Sequence, residues 1–154
     1  MTTIKLYSPE TKSRLLEIFK SNMPLYFADE EVALFDAFLD RDASVRGPYS
    51  LIVKDDKIVA CGGIALNKPT KYTNEPHVIM TWGMVDNKHH KEGYGKALLL
   101  HRIQQAKEMY PGIKIALGTT QHTFQFFEKY GFKTVAYEKD HWGKDLDLYQ
   151  MELI

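Results

Sequence analysis

The sequence predicts a mixed α/β layer fold over a single domain, residues 1–154. Segments with strand periodicity and segments with helical periodicity follow one another in the order β-α-α-β-β-β-α-β-α-β-β. A chain of 154 residues with 44% hydrophobic side chains can bury a sizeable core. The central stretch, residues 79–110, runs from an apolar strand through a basic, glycine-bearing turn into an apolar-faced helix.

Taken in order, residues 3–7 form a short strand with Ile4 and Leu6 on one face. Ser8 and Pro9 start a helix, as N-cap and first helical residue. Leu15, Leu16, Ile18 and Phe19 give that helix its apolar side, and residues 22–24 break it. A second helix starts at Asp29, which can cap it, with Val32, Phe35, Phe38 and Leu39 as its stripe. Residues 41–48 are a turn-rich connection. Strands 49–54 and 57–66 form a hairpin around Asp55-Asp56. Gly62-Gly63 within the second of them signals a bulge or a close backbone approach. A polar loop, 67–76, leads to strand 78–85. After the central helix, Pro111-Gly112 stops the chain and 113–117 is a short buried strand. Thr119 or Thr120 caps a helix through Tyr130. Strand 133–138, a polar loop 139–144 and strand 146–153 complete the fold.

Composition excludes several function classes. Twenty Lys and Arg balance twenty Asp and Glu, which argues against a nucleic-acid surface. Cys61 is the only cysteine, so no internal disulfide forms, and a reducing compartment fits. The first ten residues lack signal-peptide character, and no apolar run approaches the roughly 20 residues of a membrane span. A cytoplasmic location without membrane contact is the expectation. The six histidines show no metal-ligand spacing, so no metal is expected.

The turn at residues 86–96 reads as an anion site. The first N–H groups of a helix lack partners, and the helix dipole adds positive charge there. Three glycine motifs compete for it. A P-loop needs glycine at the position of His90 and Ser or Thr at that of Ala97, so two essential positions fail. A dinucleotide fingerprint needs a third glycine where Leu98 stands, and no acidic residue closes the next strand. The third pattern, V-x-P-x-x-[QR]-x-x-G-x-G-x-x-L, matches at Val85, Gly93, Gly95 and Leu98, with Asn87 for proline and His90 for Arg or Gln. A second block, Phe126-Phe127-Glu128-Lys129-Tyr130-Gly131-Phe132, stands at the matching spacing. On these two blocks the chain resembles the GNAT acetyltransferases, over most of its length.

The resemblance implies a mostly antiparallel sheet of six to seven strands with about four helices, splayed open after its fourth strand. The splay comes from the resemblance and not from the pattern. It also implies acetyl-CoA as cosubstrate. The pantetheine arm would lie along the backbone of Gly83, Met84 and Val85. The pyrophosphate would sit on His90, Lys91, Glu92, Gly93, Tyr94, Gly95 and Lys96, and Thr120 and Phe127 would lie beside the cofactor. His90 is a departure, since histidine donates from both nitrogens only when protonated. Homodimers are common in such a family.

The reaction implied is transfer of an acetyl group to a primary amine, on a small molecule or a peptide, by direct attack. The family's acid is a tyrosine four residues before the glycine of the Gly-Phe pair, and here that position is Phe127, which cannot donate a proton. The thiolate leaving group, with an ordinary pKa of about 8.5, can depart with little help. For a base, His77 shares a strand face with Ile79 and is the candidate. The acidic run Asp29, Glu30, Glu31, Asp36 and Asp40 could attract a cationic amine, and Tyr26, Tyr49, Trp142 and Tyr149 could wall the pocket or fill the core. The alternative reading is a non-catalytic acetyl-CoA sensor, to which the missing tyrosine gives weight.

Overall fold

The structure is a computed structural model describing residues 1–23 and 25–154. Seven strands form one sheet in the order β1-β2-β3-β4-β5-β7-β6. They are β1 (Thr2–Leu6), β2 (Tyr49–Lys54), β3 (Lys57–Asn67), β4 (His77–Val85), β5 (Lys114–Thr119), β6 (Phe132–Gly143) and β7 (Leu146–Leu153). Every neighbouring pair is antiparallel except β4 with β5. The helices are α1 (Lys12–Ser21), α2 (Glu31–Leu39), α3 (Ala43–Arg46), α4 (Tyr94–Met109) and α5 (Phe124–Glu128).

Two apolar layers sandwich the sheet. Leu15, Ile18 and Phe19 of α1 and Phe35, Phe38 and Leu39 of α2 bury themselves on Tyr49, Leu51, Cys61 and Met84. On the other face, Leu99 and Ala106 of α4 pack on Ile64, Val78, Met80, Ile115 and Leu117. The β2–β3 turn uses Asp55 at φ 49° and Asp56 at φ 65°, the left-handed pair a two-residue hairpin needs.

Several predicted boundaries shift. The first helix opens with a 3-10 turn at Pro9–Thr11, and Ser8 makes no side-chain cap bond. The helical break begins at Asn22; Pro24 lies outside the described residues. Asp29 does not cap α2, which starts two residues later, while the Glu31 carboxylate accepts from Ala28 N at 3.0 Å. The connection 41–48 holds a short helix, α3, capped by Asp42. The helix expected from Thr119 or Thr120 is confined to Phe124–Glu128, because Thr120 to Thr123 form a turn with Thr123 N bonded to Thr120 O. The loop expected at 139–144 is instead the irregular end of a long β6.

One irregularity positions everything that follows. In the β3–β4 ladder Cys61 faces Met84 and Gly63 faces Thr81, so Trp82 and Gly83 together oppose Gly62. The bulge therefore lies on β4, opposite the glycine pair that signalled it. Trp82 takes φ 39° there, and Tyr49 Oη donates to its carbonyl at 2.6 Å. Downstream of the start of β4 the sheet opens. Strand β4 pairs with β5 only through His77, Val78 and Ile79, leaving Met80 to Val85 unpaired on that side. This is the splay after the fourth strand.

Candidate active site

The open edge of β4 leads straight to the N-terminus of α4. Gly83 is exposed although it lies in the middle of a seven-stranded sheet. Beyond Val85 the chain is anchored before it turns. Asp86 is buried, and its carboxylate takes Arg14 Nη2 at 2.5 Å and Lys88 N at 3.1 Å. Burial pushes the Asp86 carboxyl up, but the bonds from Arg14 and Lys88 outweigh it, and its pKa falls below the ordinary value. Arg14 also donates to Ile58 O at 2.8 Å, so the loop is tied to α1 and β3.

The turn itself has the backbone of an anion nest. Lys91 and Gly93, on either side of Glu92, have φ 68° and 89°. A Cβ on Gly93 would meet nothing within 4 Å, so conformation and not space demands glycine there. The first i→i−4 bond of α4 is Ala97 N to Gly93 O at 3.1 Å, which leaves the N–H groups of Tyr94, Gly95 and Lys96 pointing out of the helix end. Lys88, Lys91 and Lys96 form no ion pair among the described residues, whereas Glu92 is drawn to His89 at 3.3 Å and Lys54 at 3.7 Å. The ring of Tyr94 belongs to the buried cluster of Ile52, Val59 and Leu98 and meets His89 of the turn edge-on, with centroids 6.2 Å apart.

His90 does something sequence reasoning missed. Its Nε2 donates to Val85 O at 3.0 Å, and Asn22 Nδ2 donates to the same carbonyl at 3.0 Å. The Val85 carbonyl is thus held by protein donors, and only Nδ1 of His90 is left for a ligand. The opposite wall of the opening is aromatic. Phe126 lies 3.6 Å from the place a Gly95 Cβ would occupy. Phe127 packs edge-on to Phe126 and Phe132, with ring centroids 5.2 and 6.0 Å apart. Tyr130 packs on Phe126 at 5.2 Å, and Thr120 is buried at the turn before α5.

His77 is not brought to this place. It is fully buried at the far end of β4, where Nδ1 donates to Glu75 O at 2.8 Å and Nε2 accepts from Asn67 Nδ2 at 3.3 Å. The bulge begins five positions further on, at Trp82, roughly 16 Å along a strand. Both ring nitrogens serve the β3–β4 end, so the base role assigned from sequence is corrected to a structural one.

On the α1–α2 face, the connection before α2 meets the β6–β7 turn. A Cβ on Gly143 would stand 2.8 Å from Ala28 Cβ. A cleft of about 390 Å³ lies beside it, lined by Leu25, Gln121, His122, Lys144, Asp145 and Leu146. Tyr26 sits between His90 and His122, with centroids 5.6 and 6.0 Å away. Trp142 lies against Gly118 and donates to Thr119 O at 3.4 Å, on the β5 side of the opening. Tyr49 and Tyr149, by contrast, are packing residues. The first is buried under α1 and α2, and the second stacks on Phe124 at 4.2 Å.

The acidic run divides as well. Asp36 and Asp40 pair with Lys12, while Glu31 is buried and burial raises its pKa. Nearby, His141 Nδ1 meets Glu138 Oε2 at 2.6 Å, and Tyr72 Oη donates to Glu138 Oε1 at 2.6 Å. Those bonds from Tyr72 and His141 hold the Glu138 carboxyl down to about 2. Cys61 is buried, and desolvation pushes its thiol up to about 12, which leaves it inert packing. No group of His, Cys, Asp and Glu among the described residues could hold a metal ion, and no helix among them is long and apolar enough to cross a membrane.

Comparison with known proteins adds family and fold. The profile described as "Acetyltransferase (GNAT) family" matches residues 13–132. No curated protein matches the chain. Among solved structures, a GNAT-family protein from Desulfovibrio desulfuricans superposes with TM-score 0.80 at 16% identity, covering 99% of this chain and 98% of that one. The ribosomal-protein-alanine N-acetyltransferase of Brucella melitensis gives 0.77 at 18%, covering 99% of each chain. Arabidopsis thaliana Naa50, in complex with a bisubstrate analogue CoA-Ac-MVNAL, gives 0.70 at 16%, covering 99% and 98%.

Proposed function

This chain belongs to the acetyltransferase (GNAT) family, and on that premise we propose that it moves an acetyl group from acetyl-CoA to a primary amine by direct attack. One observation carries the reading: the open edge of β4 from Met80 onward runs into a helix N-terminus flanked by three lysines that form no ion pair among the described residues. The backbone of Gly83 and Met84, with Val85 N, holds the pantetheine arm. The N–H groups from Lys91 through Lys96 take the pyrophosphate, with His90, Glu92 and Gly93 shaping the turn. Thr120 and Phe127 lie along the other wall. Positioning and backbone oxyanion contacts supply most of the rate.

The amine enters from the α1–α2 face, between the connection before α2 and the β6–β7 turn. Glu30 and Glu31 at the start of α2 favour a cationic acceptor. The imidazole of His141, oriented by Glu138, stands on that side and takes the place given to His77 by sequence. The thiolate leaves without a tyrosine, since Phe127 cannot donate. Two of the compared structures, described above, concern ribosomal-protein alanine and a peptide-bearing analogue, so peptide N-termini belong in any acceptor panel.

The test follows free-thiol release from acetyl-CoA with polyamines, lysine, neutral amino acids and peptides. Release is expected with a subset of primary amines, fastest for those carrying a second positive charge. If every amine left the rate at its amine-free level while acetyl-CoA still bound, transfer would be overturned in favour of a non-catalytic sensor.

A further inference from the structure

Helix α4 carries a charged residue on its sheet-facing side. Arg102 is only 4% exposed, and its Nε finds no hydrogen-bond partner among the described residues. The guanidinium lies in a hollow made by two glycines. A Cβ on Gly83 would stand 2.6 Å from Nη2 and 2.8 Å from Nη1, and one on Gly62 would stand 3.3 Å from Cζ. Both glycines belong to the bulge, where Gly62 opposes Trp82 and Gly83.

The hollow holds no counter-charge. The titratable groups whose charge Arg102 feels are Tyr49 and Cys61, and burial raises both, so they are neutral at pH 7. His101, its neighbour on α4, has its pKa lowered by burial and by Arg102 itself. Burial lowers the guanidinium to about 10, still protonated at pH 7. An unpaired buried cation is costly, and an apolar side chain of similar size would fill the same space at lower cost. The cation also sits directly under the one stretch of β4 backbone that lacks partners on both sides, because Gly83 pairs with neither β3 nor β5.

We propose that Arg102 is a positioning residue for charge: its guanidinium, packed without an anion beneath the exposed backbone of Gly83, favours negative charge on a carbonyl oxygen held along the open edge of β4. The inference rests on the acyl-CoA reading above. When the amine nitrogen bonds to the thioester carbon, the carbonyl π pair moves onto oxygen. Its return breaks the carbon–sulfur bond and expels the thiolate, and the nitrogen passes its proton to the base proposed above, the His141 imidazole. Charge on that oxygen exists only between the two steps, so a fixed nearby cation lowers the barrier without tightening ground-state binding. Gly62 and Gly83 are the matching requirement, since a side chain at either would displace the guanidinium.

A binding experiment isolates the effect from turnover. The S-carboxymethyl and S-carbamoylmethyl thioethers of CoA have nearly the same shape, and only the first bears negative charge, on oxygens one bond beyond the place of the thioester oxygen and within reach of the same fixed cation. Calorimetry on the wild-type protein is expected to show at least about a tenfold preference for the carboxymethyl compound. In Arg102→Met the preference should vanish, with affinity for the carbamoyl compound kept and thermal stability no lower. Arg102→Lys should keep part of the preference and serves as the decisive variant if the methionine protein does not fold. Equal affinities in the wild type, or a preference that survives in Arg102→Met, would overturn the proposal. Binding of neither thioether would overturn the acyl-CoA reading and this inference with it.

Discussion

Gly95→Glu is expected to lower acetyl-CoA affinity about a hundredfold or more, roughly 2.7 kcal/mol, while leaving the fold nearly as stable as the wild type. A Cβ at Gly95 meets only the edge of Phe126 at 3.6 Å and Val85 Cγ2 at 4.0 Å, which is ordinary contact. The backbone accepts a side chain there. The carboxylate, however, would reach the free N–H groups of the first turn of α4 and neutralise the positive end that a pyrophosphate needs. Gly95→Ala adds bulk without charge and should keep most of the affinity. Calorimetric titration of the three proteins measures both effects. Unchanged affinity in the glutamate variant would move the phosphate site away from this helix.

Gly47→Ala is expected to cost about 3 kcal/mol or more, enough to consume a large part of a domain's stability. Gly47 ends α3 at φ 79° and ψ 173°, a conformation that is essentially glycine-only. A Cβ there would also stand 2.1 Å from Ile64 O and 3.1 Å from Ala65 Cα. Those are backbone atoms of the central strand β3 and cannot swing aside. Strand β3 carries the partner side of the bulge, so the damage would spread towards the site. Chemical denaturation reads the loss directly. A cost under about 1 kcal/mol would mean that the α3–β2 corner is looser than the geometry requires.

The sequence carried the element order because strand and helix periodicities are local, and the stripes of α1 and α2 found the core they signalled, whereas Ile4 and Leu6 stay exposed because β1 is the edge strand of the sheet. The anion turn was legible for the same reason: glycine, lysine and a helix start lie within eleven residues. What escaped was set by tertiary contacts. Capping of α2 passed from Asp29 to the Glu31 carboxylate, which reaches back to accept from Ala28 N, and the β6 register was prolonged by pairing with β7. Nothing local in His77 announces that Asn67 and Glu75 will hold both its nitrogens. Nothing local in His90 announces the bond to Val85 O. Arg102 was invisible for a sharper reason. An arginine at that spacing reads as the polar side of an amphipathic helix, and only the glycine hollow across the sheet makes room to bury it. The Gly62-Gly63 pair was the one available signal, and it pointed to the right place.

The measurement that tests the central claim most directly is amide hydrogen exchange of the wild-type protein with and without acetyl-CoA. The open edge of β4 and the turn into α4 hold backbone N–H groups with no partners, so a ligand bound there should slow their exchange and little else. Protection is expected in peptides covering residues 80–85 and 90–96, and again around Thr120. Saturating ligand that leaves those peptides unchanged, or protects a different surface, would contradict the account.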